Sequence, residues 1–490
     1  MAEQFDVAII GYGPTGATLA NLLANCGLRV AVIEREAAMY HLPRAVHFDG
    51  ETMRVFQAAG VADALEDRVR VNPGMRFMSP EGDLLLDWPR PQGAGPQGWH
   101  ASYRLHQPDL EQLLRARLDK KANVTVFAQC RVVGLEDSGE TVTLTVQGAT
   151  GETRTLSASY VVGCDGARSF TRDVIGSGMD DLGFEERWLV VDVLLKRDRP
   201  DLGDHTLQFC DPDRPITYCR SPGNRRRWEI TVKPGESDAQ VTSPERLWDF
   251  LSRWITPEDA DLERSAVYTF RSAVAQRWRK GRVMIAGDAA HLTPPFMGQG
   301  MCAGIRDAAN LAWKLALCVK GLAPESLLES YQAERAPNAQ AFIETAVRLG
   351  GLINALDAQG ALDLGEQTAS GSKRMETIAP SLGESDLGGM LTSLTPHRGT
   401  LFGQPVLADG RKMDDVVGYA PVLIVRNGLP EGVTPSAMVL SAVDHVELGA
   451  ALDGLDVDAV LLRPDRYIAG TAKGEGDLEG LVAVEISTPL

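Results

Sequence analysis

The chain has 490 residues, 44% of them hydrophobic, enough for two or three domains with their own cores. Its 66 acidic against 49 basic residues give a net charge of −17, which argues against nucleic acid or an anionic membrane as partner. The early apolar run Val7–Ile10 is too short for a signal sequence or a membrane span, and no basic segment precedes it.

Phe5–Ile10 reads as a buried strand, followed by Gly11-Tyr-Gly13-Pro-Thr-Gly16 and a small-residue helix. A second strand, Arg29–Ile33, ends at Glu34. This is the pattern of a dinucleotide-binding unit. Gly11 makes the tight turn, Gly13 admits a pyrophosphate and Gly16 lets helix and strand pack closely. Glu34, with Arg35 beside it, stands about 20 residues on, where an acid holds a ribose hydroxyl.

Arg44-Ala-Val-His-Phe-Asp49 leads into an amphipathic helix at Met53, Val55, Phe56 and Ala59. Asp49 reads either as that helix's N-cap or as a site carboxylate, and His47 as a packing histidine rather than a base. Met75–Trp88 is a hairpin turning at Pro80-Glu-Gly-Asp83, and Gln107 opens another helix. Val124–Leu156 alternates as antiparallel strands do. Tyr160-Val-Val-Gly-Cys-Asp165-Gly is a buried strand stopped by a sharp turn, leaving a carboxylate at its end.

From about Leu182 to Phe270 short β-rich runs dominate, as expected of a second sheet. Ser221-Pro-Gly-Asn is a hairpin turn flanked by Arg220 and Arg225–Arg227, which read as a solvated tip or as a lure for a carboxylate or a nicotinamide nucleotide. Tyr218 and Tyr268 could hydrogen-bond a phenol, or be buried sheet aromatics.

Val283–Ala286 is a short buried strand ending in Gly287-Asp288. A Pro-Pro corner containing Pro295 and a Gly298-Gln-Gly300 loop follow. A long helix then begins near Met301, with apolar residues at Ile305, Ala308, Ala312, Leu315 and Val319. The glycines allow close approach of backbone to a ligand, and the helix start offers free N–H groups to negative charge. Asp288 is placed to accept hydrogen bonds from a polyol. Leu327–Leu349 continues helical, and a weakly patterned stretch begins at Gly350. Short strands and helices resume from Thr400. Seven cysteines without a C-x-x-C pair suit a reducing cytoplasm, and the scattered histidines give no metal site.

Together, these three motifs, with the wording PPFMGQGMCAGIRDAANLAWKL, resemble the class A FAD-dependent aromatic hydroxylases. The 3-(3-hydroxyphenyl)propionate hydroxylase branch is the most similar. The resemblance implies an α/β chain. A Rossmann-like FAD-binding domain (1–72, 101–181, 271–349) carries an inserted, mainly antiparallel substrate domain (73–100, 182–270). A connection (350–398) leads to a thioredoxin-like C-terminal domain (399–490) that lacks cysteine, leaving it a scaffolding or homodimer-contact role.

The same resemblance places Arg44 near the pyrophosphate, Gln107 and Asp165 at the FAD site, Asp288 on the ribityl chain and Pro295 beside the isoalloxazine. The N–H groups around Gly300 and Met301 would face flavin N1 and O2. Many members carry Asn where this chain has Cys302, so the contact here is through backbone. NADH or NADPH would reduce FAD, oxygen would add at flavin C4a, and the hydroperoxide would hydroxylate a small phenol steered by Asp49, with Tyr218 or Tyr268 behind it. A tailoring hydroxylase of a larger aromatic, or a flavin oxidase, are the alternatives.

Overall fold

The computed structural model describes residues 3–39, 42–355, 378–391, 395–429, 435–482 and 484. Most of the expected connection, 356–377 and 392–394, lies outside the described residues.

The first apolar run forms the strand Glu3–Ile10, parallel to Val30–Ile33 on one side and to Thr153–Gly163 on the other. Val283–Ile285 adds in parallel beside Thr153–Gly163. Toward their carboxyl ends these strands are buried on both faces, which accounts for the near-continuous hydrophobic runs there. Their register aligns the last residues: Ile10 pairs with Ile33 and with Gly163, and Gly163 with Ile285. The segments that follow, starting at Gly11, Glu34, Cys164 and Ala286, therefore open along one edge of the sheet. Such an edge is where open α/β sheets bind ligands.

A second, eight-stranded sheet runs in the order His291–Leu292, Ala260–Ala275, Met179–Leu195, Arg225–Thr231, Ile216–Arg220, Thr206–Phe209, Gly74–Met78, Leu84–Pro89. Alternation gives it two unlike faces. Leu189, Val191, Val193, Tyr218, Trp228 and Ile230 join Leu247 and Leu251 of the helix Pro244–Leu251 in a separate apolar cluster. The opposite face presents Trp188, Val190, Asp192, Arg227, Glu229 and Tyr268 toward the first unit. Phe296, from the Pro-Pro corner, packs edge-on against Trp188 and Phe184 at 5.9 and 5.5 Å.

A third sheet, Met438–Ser441, Val422–Val425, Ala459–Leu462, Ile468–Ala472, has one parallel and two antiparallel pairings. Val422, Ile424, Val460 and Leu462 form its own core, while the alternate residues Leu423, Val425, Ala459 and Leu461 join the main core.

The helix Glu329–Ala355 runs through Gly350, where the sequence suggests a connection beginning. A Cβ at Gly350 would lie 2.1 Å from the Phe296 ring, so glycine is required here by close packing.

Candidate functional site

Gly11 has φ +104°, and a Cβ there would lie 2.4 Å from the Cys164 carbonyl oxygen. A Cβ on Gly16 would lie 2.2 Å from the Gly11 carbonyl oxygen, so both glycines are needed for the turn itself. Gly13 differs: a Cβ there meets nothing within 4 Å. It is the N-cap of the helix Pro14–Asn25 and makes no side-chain cap. Open space before uncapped N–H groups suits a phosphate. Glu34 accepts the N–H of Tyr12 at 2.8 Å and of Glu36 at 2.9 Å, holding its carboxylate beside the loop. Arg35 is 64% exposed and pairs with its neighbour Glu36.

The segment Pro43–Ala45 is clamped from two sides. Gln107 Oε1 accepts the N–H groups of Arg44 (3.1 Å) and Ala45 (2.7 Å), while Gln107 Nε2 donates to Glu111. From the second sheet, Arg227 donates to the carbonyls of Pro43 (2.7 Å) and Arg44 (2.9 Å), and also to Asp192. Arg226 and Arg227 are each 2% exposed, so the expected solvated hairpin tip is corrected: Arg227 ties the second sheet to the Pro43–Arg44 segment, while Arg226 closes on the Gly223 and Arg225 carbonyls of its own hairpin.

Asp165 accepts from Ser169 Oγ and from the N–H and hydroxyl of Thr171, so it organises the turn that follows its strand. Asp288 is exposed at the end of its strand and accepts no hydrogen bond among the described residues. Protein walls on its other sides push its carboxyl pKa up, with His291 and Arg44 pulling the other way.

The loop from Gly287 to Gly300 is pinned at both ends by adjacent residues of the helix Gly300–Val319. Asp307 accepts Gly287 N–H at 2.9 Å and bonds His291 Nε2 at 2.7 Å. Burial raises the Asp307 pKa, but His291 and Arg335 outweigh it and hold the carboxyl low. Arg306 donates to Gln299 Oε1 at 2.9 Å. Between the pins, Gly298 adopts φ +62°, and a Cβ there would strike the His47 side chain at 2.8 Å. The N–H groups of Gly300 and Met301 meet no protein acceptor among the described residues. Pro295 opens the short 3-10 turn Pro295–Met297.

Asp49 is the N-cap of the helix Gly50–Ala59. Its Oδ1 accepts from Thr52 N (2.9 Å) and Oγ1 (2.8 Å), and its Oδ2 from Arg306 (2.5 Å) and Gln299 (3.1 Å). Burial opposes its charge, but Arg306 and Thr52 prevail and hold the pKa near 2. His47 bonds Ser102 Oγ at 2.8 Å, and burial, reinforced by Arg104, pushes its pKa down to about 4.

Two features of this groove fit a flavin dinucleotide: the room at Gly13, and the unanswered polar groups at Asp288, Gly300 and Met301. Residues 4–346 match the family model described as FAD binding domain. The chain belongs to that family.

The chain is 34% identical to a probable NADH-specific resorcinol 4-hydroxylase of Rhodococcus jostii, over 98% of this chain and 94% of that relative. It is 39% identical to a 3-(3-hydroxy-phenyl)propionate/3-hydroxycinnamic acid hydroxylase of Burkholderia vietnamiensis, over 72% of this chain and 64% of the relative, just under two thirds of its length. In fold it is similar to the flavin-dependent monooxygenase PieE (TM-score 0.81, 22% identity, 98% of each chain). Aklavinone-11 hydroxylase is a second neighbour (TM-score 0.79, 23% identity, 99% of each chain).

Along this strand edge the structure gathers Gly11, Gly13, Gly16, Glu34, Arg44, Gln107, Asp288, Pro295, Gly298, Gly300 and Met301, with Asp49 behind the last loop. It separates the two tyrosines. Tyr268 faces the first unit and takes a hydrogen bond from Arg264 at 3.1 Å. Tyr218 lies on the opposite face, 5.1 Å from Trp228 in the apolar cluster, so its position does not match the expected phenol contact. Sequence reasoning missed Arg115, which donates to the Tyr12 carbonyl at 2.7 Å and lies over the Tyr12 ring at 4.3 Å. It also missed Arg306, Gln299 and Glu51. The signal for Arg306 was a run of polar residues (Arg306, Asp307, Asn310, Lys314) in a helix otherwise built of small and apolar ones.

Proposed function

We propose that the protein is an FAD-dependent monooxygenase that hydroxylates a single-ring phenol, with NADH as reductant and O2 as oxidant. The observation that carries the reading is the convergence of the Gly11–Gly16 turn, Asp288 and the free N–H groups of Gly300 and Met301 on one strand edge, facing the polar side of the second sheet. Bound FAD would supply the redox and oxygen-transfer chemistry. The chain's part is placement. Gly13 and the first turn of Pro14–Asn25 receive the pyrophosphate, Glu34 a ribose, Asp288 the polyol, and Gly300 and Met301 the negative charge of the reduced ring.

The phenol is assigned to the face of the second sheet that carries the paired Trp188 and Tyr268, beside Phe184 and Phe296. Asp49 is already saturated by four donors, so we assign it the task of holding Arg306 and Gln299 rather than taking a proton. A phenol has a pKa of about 10, and losing its proton near neutrality needs a positive neighbour. Arg104, buried and in register with His47, is the cation we place there.

The mixed pairing of the third sheet supports the thioredoxin-like reading of residues 399–490, and the absence of cysteine from them supports a scaffolding role. Seven unpaired cysteines support a reducing compartment. Among the described residues no helix is long and apolar enough to cross a membrane.

The full-length likeness to a resorcinol hydroxylase supports resorcinol and 3-(3-hydroxyphenyl)propionate as first substrates to try. The test is NADH and NADPH oxidation by FAD-loaded protein with each phenol. Stimulation of NADH oxidation with matching product supports the assignment. Oxidation that no phenol changes overturns it.

A further inference from the structure

Among the described residues, a chain of side chains runs from the edge of the third sheet to the Gly298–Met301 loop. Tyr467, 5% exposed, precedes the strand Ile468–Ala472, and its hydroxyl donates to Glu51 Oε1 at 2.7 Å. Glu51 Oε2 accepts from Arg306 Nε at 2.5 Å. The same guanidinium donates to Asp49 at 2.5 Å and to Gln299 at 2.9 Å. Gln299 is the N-cap of the helix whose first residues are Gly300 and Met301.

The charges in this chain do not cancel. Two carboxylates share one guanidinium, and their side chains are only 14%, 13% and 3% exposed for Asp49, Glu51 and Arg306. The surplus negative charge is held by neutral donors: Thr52 and Gln299 on Asp49, and Tyr467 on Glu51. Without the hydroxyl, Glu51 Oε1 loses its donor among the described residues, and a buried carboxylate oxygen left bare seeks the nearest positive charge. That charge is Arg306, and drawing it toward Glu51 slackens its hold on Gln299.

We propose that Tyr467 is a positioning residue for the FAD-facing helix start, acting through Glu51 and Arg306 on Gln299 and so on the N–H groups of Gly300 and Met301. The turn Arg463–Arg466 brings it there. Arg463 bonds Glu334 of the helix Glu329–Ala355 at 2.8 Å, and Asp465 accepts from Asn310 at 3.2 Å and Trp313 at 3.3 Å of the helix Gly300–Val319, which docks the turn on both helices. The proposal rests on the reading of the Gly298–Met301 loop as the contact to the reduced ring.

The experiment compares FAD-loaded wild type, Tyr467→Phe and Tyr419→Phe by visible circular dichroism and by the midpoint potential of the bound flavin. Tyr419 supplies the control: it donates a buried hydroxyl across the same interface, but to the Ala309 carbonyl farther along the helix. Tyr467→Phe is expected to keep FAD, change the visible spectrum and shift the potential to a more negative value, because the N–H donors favour the reduced, negatively charged ring. Tyr419→Phe is expected to leave both at wild-type values.

Adding Glu51→Gln to Tyr467→Phe removes the competing charge and should restore the potential. If Tyr467→Phe does not fold, Glu51→Asp, too short to reach both Tyr467 and Arg306, should give the same negative shift. Equal behaviour of the two tyrosine variants, no recovery in the double variant, or an unshifted Glu51→Asp protein overturns the proposal. Failure of the wild-type protein to hold FAD would instead overturn the reading beneath it.

Discussion

Arg306 Nη2 lies 2.5 Å from Asp49 Oδ2 across 257 residues of sequence. The contact joins the N-cap of one helix to the interior of another, and it leaves Asp49 as a fixed anion. Asp49→Asn should keep FAD bound, since the carboxylate touches the loop from behind. It should nevertheless lower coupled hydroxylation by up to about 10²-fold, the scale of a small misplacement of reacting groups. Product formed per NADH consumed checks this, with unchanged coupling as the contrary outcome.

The glycines of the first turn should separate by role. Gly13→Ala is expected to fold with a near-normal melting temperature but to lose FAD, because its Cβ meets open space in the protein alone. Gly16→Ala should fail to fold well, its Cβ lying 2.2 Å from the Gly11 carbonyl oxygen. Flavin-to-protein ratio and thermal denaturation distinguish the two. Equal flavin retention by Gly13→Ala and wild type would contradict the pyrophosphate assignment.

Much of this was legible in the sequence because strand-end motifs depend on local rules. Gly11, Gly13, Gly16, Glu34, Asp165 and Asp288 all fall just past strands whose apolar runs mark them, and parallel register brings those ends together. What was not legible depends on partners distant in sequence. Asp49 reads equally as cap and as site acid until Arg306 and Gln299 are beside it. Tyr218 and Tyr268 look alike as strand tyrosines, because only pairing decides which face each occupies. Arg227 looks like part of a solvated tip until Asp192 and the Pro43–Arg44 carbonyls enclose it.

Strand parity makes its own prediction. Tyr268→Phe, losing a hydroxyl on the groove-facing side, should raise KM for the phenol by about threefold to tenfold, the worth of one hydrogen bond. Tyr218→Phe should affect stability alone. Steady-state kinetics on both variants test this, and a larger kinetic loss at Tyr218 would contradict it.

Arg227→Ala should destabilise the fold by about 3 kcal/mol or more, since it breaks a buried ion pair and frees the Pro43 and Arg44 carbonyls. Arg264, 2.8 Å from Asp192, remains to limit the loss. Denaturant titration checks the figure, and a loss under about 1 kcal/mol would mean that the clamp adds little.

The pH dependence follows from two depressed pKa values. His47 falls from 6.5 to about 4, so the unfolded chain binds its proton first as pH drops. Stability should therefore decline between about pH 6.5 and 4, by on the order of 3 kcal/mol for a shift of this size. Asp49, lowered from 3.8 to about 2, contributes stability that is complete above pH 3.8 and lost as pH falls through 2. Melting temperature against pH for wild type and His47→Gln measures the first phase, which the variant should lack.

The most direct measurement is turnover of FAD-loaded protein with NADH and resorcinol under 18O2, followed by mass analysis of the product and assay of peroxide. The account predicts a hydroxylated ring carrying one 18O atom, with little peroxide. Unlabelled product, or NADH oxidation that ends wholly in peroxide with every phenol tried, would contradict it.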